Sequence, residues 1–593
     1  MEKVTFKLSP KASISLISIV GRAERRLRAA PAARVAGGSA SLTAVAPPEE
    51  ARTAVLIEAK DPEYVANLLA DEAEAVEDLG GGFVSAEVGP RAAQRLIEDP
   101  AVRRVQSKKR SQPRLTAVLP EIGLRASAGR LVPEDGTGVL IGIVDSGFDL
   151  SHPAFRDPNG ALRVEALLDQ TNRSREYTTA QLERSWSGTA RPGFDDNGHG
   201  THVASIAGAS PFQGFEGVAP AARFLLVKTD FINTDAAVSW TFRKAGARPC
   251  VINMSLGHHF GAHDGTDQEE RLHRTLVGPG KLIVVAAGNE RSDRIHIGDR
   301  FAVDESQVVR FDVVRQRVGE TFAVMTLWYD QRDRFDIELI TPFGQAVSVP
   351  ATGNSDVYQS SSLDLELARR RYAWSRALQV QISLSFKGAF IADRLLNGWQ
   401  LRMRCRRARI GRIDGWMNNS GFAEFALHPM VETARTVGLP ATGDGCLAVA
   451  SYVSRADWSS DEGPQQDRRA VAGRSSPFSS RGPTRDGRWK PDLAAPGQYV
   501  TAALADGSEL SGWAERARGA DRLVTIEGTS MAAPVVAGAL ALMLQRDPAL
   551  TTERARTILA ESARHDGHTG LAPWTTAYGY GKLNVGAALA PVA

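Results

Sequence analysis

From Gly138 onward the chain carries short, almost wholly apolar runs: VLIGIVDSG, ARFLLVKTD, CVINMSLG and KLIVVAAGN. Each ends in small or polar residues. Apolar runs of this length without alternation mark strands buried on both faces, and helical spacing fills the intervals between them. The pattern predicts an α/β fold, a doubly wound parallel sheet, over residues 138–289, resuming at CLAVASYV and covering 436–593. In such sheets functional groups gather beyond the carboxyl ends of the strands. Here those ends carry Asp145, Ser255 and Asn289.

Residues 290–435 break this rhythm. VVRFDVVRQ, FAVMTLWYD, FDIELITPFG, ALQVQISLSF and GWQLRMRCR alternate apolar and polar positions between turns. They predict an inserted β-sandwich, with LDLELARRRYAWSRA as its one helical stretch. Upstream, residues 1–50 read as an extension and an Ala-, Gly- and Pro-rich linker. Residues 51–106 read as a small β-α-β-α-β domain: strands at 53–59, 81–89 and 102–106, with helices over 61–80 and 90–100. A basic loop, SKKRSQPR, then opens the 107–137 linker that leads into the large domain.

Composition narrows the classes. The 593 residues are 43% hydrophobic and 23% charged, an ordinary soluble balance with room for several domains. A net charge of +3 is too mild to argue for nucleic acid. No run is apolar enough to span a bilayer, so no membrane partner is expected. Cys250, Cys405 and Cys446 are few, odd in number and far apart, with no zinc or disulfide spacing. SISLISIVG sits late and behind charged residues, a poor secretion signal; cytoplasmic residence is the expectation.

The chemistry lies in a few short stretches. In IEGTSMAAPVVAGALALML, Ser530 stands before a helix that is apolar all round. By itself Ser530 reads first as a helix cap; a nucleophile would need a base and an orienter. DDNGHGTHVASIAG offers His199 and His202. Their spacing is not that of a helical zinc pair, which is His-x-x-x-His with a Glu after the first His. His202, among small residues, reads as packed structure, and His199 as the base. Asp145 ends a buried strand, where a carboxylate wants a partner; it either caps its own turn or accepts an imidazole N–H. Asn289 is either a turn residue or an amide aimed at a developing oxyanion.

Taken together these stretches resemble the subtilase family of serine proteases. The similarity rests on IVDSGFDLSHPAF, GHGTHVASIAG, GVAPAARFLLVK, INMSLG, AAGNE, TVGLPAT, SPFSSRGPTRDGRWKPDLAAPG, EGTSMAAPVVAGALALML and YGYGKLNVGAAL, with Asp, His and Ser in the family's chain order. The resemblance implies a serine endopeptidase acting on protein or peptide substrates, with Ser530 as nucleophile, His199 as base, Asp145 as its orienter and Asn289 as oxyanion donor. It implies that Ser255, Leu256 and Gly257 pair with the substrate backbone. Ala287 and Gly288 are counted with the substrate-binding residues, and Gly438 would leave open the pocket for the residue before the scissile bond, with a large apolar residue expected there. It also implies that the N-terminal domain acts as an inhibitory propeptide, residues 51–114 covering the active site. The rival readings are a non-catalytic scaffold on the same fold and an acyltransferase using the same nucleophile.

Three departures from the family matter. The calcium ligand usual after His-Pro is Ala154 here, and the 208–217 loop lacks the usual asparagines. No calcium is expected at that site, and no cofactor or metal elsewhere is called for. The long insertion resembles the jelly-roll inserts of some larger bacterial members. HHFGAHD (258–264) is expected to be a polar loop at the cleft rim, metal binding being the alternative.

Overall fold

The computed structural model describes residues 2–7, 53–69, 73–80, 83–88, 96, 99–107, 118–126, 129–186, 191–316, 321–388, 391–418, 421–513, 517, 520 and 522–592. Two compact units emerge, one of residues 31–113 and one of residues 1–30 with 114–593.

The larger unit is built on an eight-stranded sheet. Its order is 175–178, 164–169, 223–228, 140–145, 250–254, 281–286, 447–453 and 493–498. Every neighbouring pair is parallel except the hairpin at the 175–178 edge. The expected strands are all present, buried on both faces as their unbroken apolar runs require. The chain enters at the central strand Leu140–Asp145, builds outward to one side, and then crosses to Cys250–Met254 on the other. That reversal opens a crevice at the carboxyl end of Leu140–Asp145, where ligands of such sheets bind. One face carries helices His199–Gly208 and Thr529–Arg546, which pack against each other; the opposite face carries Thr234–Ala245. Met531 through Leu544 are buried without interruption, as an all-apolar helix demands.

The insertion, His296 to Phe425, forms a sandwich of two antiparallel sheets, supplying all five strands of one and six of the seven of the other. Its core, with Phe311, Leu327, Leu365, Trp399 and Trp416, draws on both sheets. Two features depart from expectation. LDLELARRR is a strand, Leu363–Arg371, not a helix: Leu363, Leu365 and Leu367 are buried at every second position, a period of two that the flanking charges obscured. Glu2–Lys7, expected to belong to a loose extension, is a strand paired antiparallel with Asn354–Gln359 at the sandwich's edge.

The 31–113 unit is a four-stranded antiparallel sheet, order 73–80, 83–88, 53–59 and 102–107, with helix Pro62–Leu69. Ala59, Val65, Leu69, Val84, Ala86 and Leu96 form its core. The helix expected over 61–80 ends at Leu69, and Ala73–Gly80 is a strand instead. Three glycines in a row, Gly80–Gly82, make the following turn a hairpin signal that outweighs the helical propensity of EAEA. Of the second expected helix, only Leu96, Asp99 and Pro100 lie within the described residues.

Candidate active site

Strand alternation decides which side chains can meet. Ile141 and Ile143 share a core with Val203 and Met531, whereas Leu140 and Val144 pack with Val238 and Phe242 on the other face. Successive strand residues point to opposite faces. Asp145 therefore falls on the face that carries helices His199–Gly208 and Thr529–Arg546. The same count through Val251 places Asn253 and Ser255 on that face. Asn253 Nδ2 donates to Ser255 Oγ (3.0 Å), which donates to the carbonyl of Ser530 (2.8 Å).

Asp145 is buried, and its Oδ1 accepts from the Ser146 N–H and lies 2.7 Å from His199 Nδ1. A carboxylate can only accept, so Nδ1 carries the proton and Nε2 is left free to accept. The His199 side chain is 26% exposed, so Nε2 can be reached from the cleft. Burial pulls this imidazole down, but the charge and hydrogen bond of Asp145, with the charge of Asp195, outweigh it. The His199 pKa stands above its ordinary value.

Asp195 did not stand out in the sequence, yet it organises the turn. Its carboxylate accepts from Ser146 Oγ, Gly198 N–H, and both the N–H and Oγ1 of Thr201, at 2.7–2.8 Å. It thereby joins the loop after Asp145 to the start of the His199 helix. Two glycines permit the junction. Gly198 has φ +99°, and a Cβ on Gly200 would lie 2.3 Å from the carbonyl oxygen of Gly147. His202 is fully buried, with Nε2 3.2 Å from the Val524 carbonyl; burial holds its pKa down to about 3. It packs as a neutral ring, as its small neighbours suggested.

Ser530 opens its helix one residue after Thr529, and its Oγ donates to the Ser255 carbonyl at 3.3 Å rather than to His199. Among the described residues no acceptor is bonded to the Ser530 N–H. Asn289 is exposed, and its Oδ1 accepts from the N–H (2.9 Å) and Oγ1 (3.0 Å) of Thr529. With the oxygen so held, Nδ2 is the free end, and Gly528 leaves space about 4 Å from it. Thr529, another residue not singled out from sequence, thus fixes which way the amide points.

The other predicted residues converge on the same place. Leu256 is half-buried and Gly257 exposed, leaving one strand edge open beyond Ser255. The Gly438 N–H donates to the Ala287 carbonyl (3.0 Å), and His258 bridges Leu439 through both backbone groups. A Cβ on Gly438 would meet the His258 carbonyl and His259 Cε1 at 3.2 and 3.6 Å. Glu290 lies beside it, accepting from Ser480 Oγ (3.0 Å), with His259 Nε2 3.6 Å away.

HHFGAHD is not the solvated rim loop expected. His259 and His263 are buried and stacked on each other (ring centroids 5.1 Å apart), and His263 stacks on Trp416 of the sandwich (4.1 Å). The insertion covers this loop, which the linear sequence does not reveal. Among the described residues no group of three or more His, Cys, Asp or Glu is placed to hold a metal. The residues near Ala154 do not fit a cation either. The buried guanidinium of Arg163 donates to the carbonyls of Ala154 (2.7 Å), Gly208 (2.5 Å) and Ala222. A fixed positive charge already occupies the carbonyl oxygens there.

Comparison with known proteins agrees with this geometry. Residues 136–367 and 418–581 match the model of the subtilase family. The C5a peptidase of Streptococcus pyogenes serotype M6 is 24% identical over 502 residues, 77% of this chain and 38% of that protein. The serine protease AprX of Bacillus subtilis strain 168 is 40% identical over 82 residues, 14% of this chain and 19% of its own. The chain thus spans well under half the length of these curated relatives. Among solved structures, the CspB protease of Clostridium perfringens superposes with a TM-score of 0.66 at 24% identity, over 80% of this chain and 97% of that one. That likeness shows the fold.

Proposed function

The chain belongs to the subtilase family, and from that premise we propose that it is a serine endopeptidase that cuts proteins through an acyl-enzyme on Ser530. The observation that carries the reading is the Asp145–His199 hydrogen bond, 2.7 Å long, on the sheet face where Ser530 opens its helix. A scaffold would need neither the buried carboxylate nor the exposed imidazole nitrogen.

The steps follow from the positions. A substrate in extended form adds to the edge Ser255–Gly257, its N–H groups taking carbonyls there. When one takes the Ser255 carbonyl, the Ser530 hydroxyl loses its present acceptor and turns to His199 Nε2. Nε2 takes the hydroxyl proton as Oγ attacks the scissile carbonyl carbon. The oxyanion meets Asn289 Nδ2 and the Ser530 N–H, at the positive end of helix Thr529–Arg546. The C–N bond then breaks, the proton passes from His199 to the leaving amine, and water releases the acyl group by the same route. Asp145 holds the tautomer throughout and stabilises the imidazolium. We propose the same cleft as the target of residues 51–114, acting as an intramolecular inhibitor; their position ahead of the catalytic domain and their own hydrophobic core support this.

The test is labelling of the full chain with a fluorophosphonate, followed by peptide mapping, alongside digestion of an unfolded protein substrate. Label on Ser530 with new termini in the substrate is the expected result. An unlabelled, well-folded chain would leave the scaffold reading, and transfer of the acyl group to an amine without hydrolysis would leave the acyltransferase.

A further inference from the structure

A second concave site begins two residues along the chain from Asn289. A cleft of about 800 Å³ is walled by Arg291, Arg469, Arg474 and Arg481, with His568 and Tyr578. Among the described residues none of these four arginines is ion-paired with a carboxylate; Arg291 and Arg481 are half-buried, and Arg469 and Arg474 are exposed. Arg291 donates one guanidinium N–H to the Pro477 carbonyl (3.1 Å), and its Nε is buried without a partner. The Nε of Arg481 is buried and unpartnered too. The one carboxylate in the wall, Asp467, is taken by Tyr499 OH (2.7 Å) and the Arg469 backbone N–H (2.8 Å). The charges of Arg291, Arg474 and Arg481 repel one another across the cleft, whereas that of Arg469 acts on Asp467. Burial and this repulsion push Arg291 and Arg481 below the usual arginine range. Such an arrangement is relieved by an anion that accepts from several of them.

The cleft's location says which anion. Arg291 lies two residues beyond Asn289, and its N–H is bonded to the Phe478 carbonyl beside Pro477. Gln498, in the same wall, follows Gly497, whose carbonyl accepts the Gly528 N–H two residues before Ser530. The segment of substrate before the scissile bond has its place at Ser255–Gly257 and Gly438. A segment after that bond that passes Asn289 on the side of Arg291 and Pro477 runs into this cleft. We propose that this arginine-lined cleft binds a carboxylate carried by the substrate on the leaving-group side of the cut. The carboxylate is either an acidic side chain or the C-terminus of a short peptide, and a planar carboxylate suits the paired N–H groups of a guanidinium. This rests on the endopeptidase reading for the direction of the substrate, and adds a substrate preference to it.

The test uses quenched-fluorescence peptides that differ only in Glu or Gln at the second to fourth residues after the cut. A parallel pair ends in a free acid or an amide. The full-length chain is compared with Arg474→Gln, Arg481→Gln and the double variant, each checked for unchanged melting. The expected result is kcat/KM about tenfold higher for the acid-bearing member, the size of a charge-assisted hydrogen bond. That ratio falls toward one in the double variant and at high salt. Which pair shows the preference tells side chain from C-terminus. Binding of the same labelled peptides to the full chain carrying Ser530→Ala, followed by fluorescence anisotropy, reads the cleft without turnover. A failure of the endopeptidase reading shows as absent cleavage with the binding preference intact. Equal binding of acid and amide forms, or a preference that survives Arg474→Gln with Arg481→Gln, overturns the carboxylate site.

Discussion

Asp145 Oδ1 and His199 Nδ1 are 2.7 Å apart, joining a buried strand end to a helix start that lies 54 residues on in the chain. The raised pKa of His199 has a direct kinetic consequence. The imidazole must be neutral to accept the Ser530 proton, so activity falls as pH drops through its pKa. The acid limb of kcat/KM should lie above the ordinary histidine value of about 6.5. In Asp145→Asn the limb should move down, since the charge that raised it is gone, while kcat drops about 10⁴-fold through the wrong tautomer. A pH–rate profile of the two forms checks both. An unchanged limb would show that Asp145 does not set the base.

Asn289 and Thr529 make a paired prediction. Asn289→Ala should lower kcat about 10²–10³-fold with little change in KM, as expected for a donor that meets only the transition state. Thr529→Val removes the Oγ1 donor to Asn289 and leaves the backbone one. It should cost less than Asn289→Ala, and combining the two should cost no more than Asn289→Ala alone. Steady-state kinetics on one peptide series decides; a pure KM effect would remove Asn289 from the oxyanion site.

Much of this was legible in the sequence, for identifiable reasons. The central strands announced themselves because both faces are buried, which leaves no polar alternation to misread. Asp145, His199, Asn289 and Ser530 stand at the ends of strong elements, next to small residues that mark close approach. What was hidden was set by pairing at a distance. Ala73–Gly80 is a strand because Phe83–Val88 lies beside it. Glu2–Lys7 finds its partner about 350 residues away. His259 and His263 are buried only because Trp416 of the sandwich stacks over them. Asp195 sat in plain view within DDNGHGTH, but its four hydrogen bonds depend on the fold.

Arg163 ties three backbone carbonyls together and should carry stability there. It is 4% exposed, and burial lowers its pKa to about 10, still charged at neutral pH. Arg163→Met would strand the carbonyls of Ala154, Gly208 and Ala222 and should destabilise by at least ~3 kcal/mol. Thermal melting with and without a chelator completes the test. Chelator should leave the parent chain's Tm unchanged; a chelator-induced drop would show a calcium site after all.

Glu270 predicts an unusual pH dependence of stability. Burial, with the nearby charge of Asp267 adding to it, pushes its pKa up to about 8, against roughly 4.3 in an unfolded chain. Below the unfolded value both states hold the proton and nothing is lost. As pH rises from there to about 8 the unfolded state ionises first, so stability falls, by about 3 kcal/mol at pH 7. Glu270→Gln keeps an acceptor for the Asp267 N–H, turns an amide N–H toward the Thr442 hydroxyl that now donates to the carboxyl group, and never ionises. Its denaturation curves should be flatter between pH 5 and 8 and more stable at the upper end, if this titration is the cause (window taken from the same pKa values). A parallel pH profile in the variant would assign the slope to another group.

The 31–113 unit has its own sheet and core, so it can be removed and returned. The deletion has to be internal. Cutting away everything before Arg114 would also strip Glu2–Lys7 from the sandwich edge and leave Asn354–Gln359 without its neighbour, an open edge prone to mispairing. Joining Ala30 to Arg114 keeps that strand. If residues 51–114 inhibit the cleft, the shortened chain should cleave a peptide faster than the full chain, and a separate 31–113 fragment should restore inhibition competitively with substrate. Lys108, Lys109, Arg110 and Arg114 lie outside the described residues, and their charge run is the sequence's reason to expect processing there. Intact mass after incubation should then show a cut between about Val105 and Thr116, and Ser530→Ala should abolish it (window judged from loop composition). A shortened enzyme that the fragment neither binds nor slows would mean that the N-terminal unit serves some other partner.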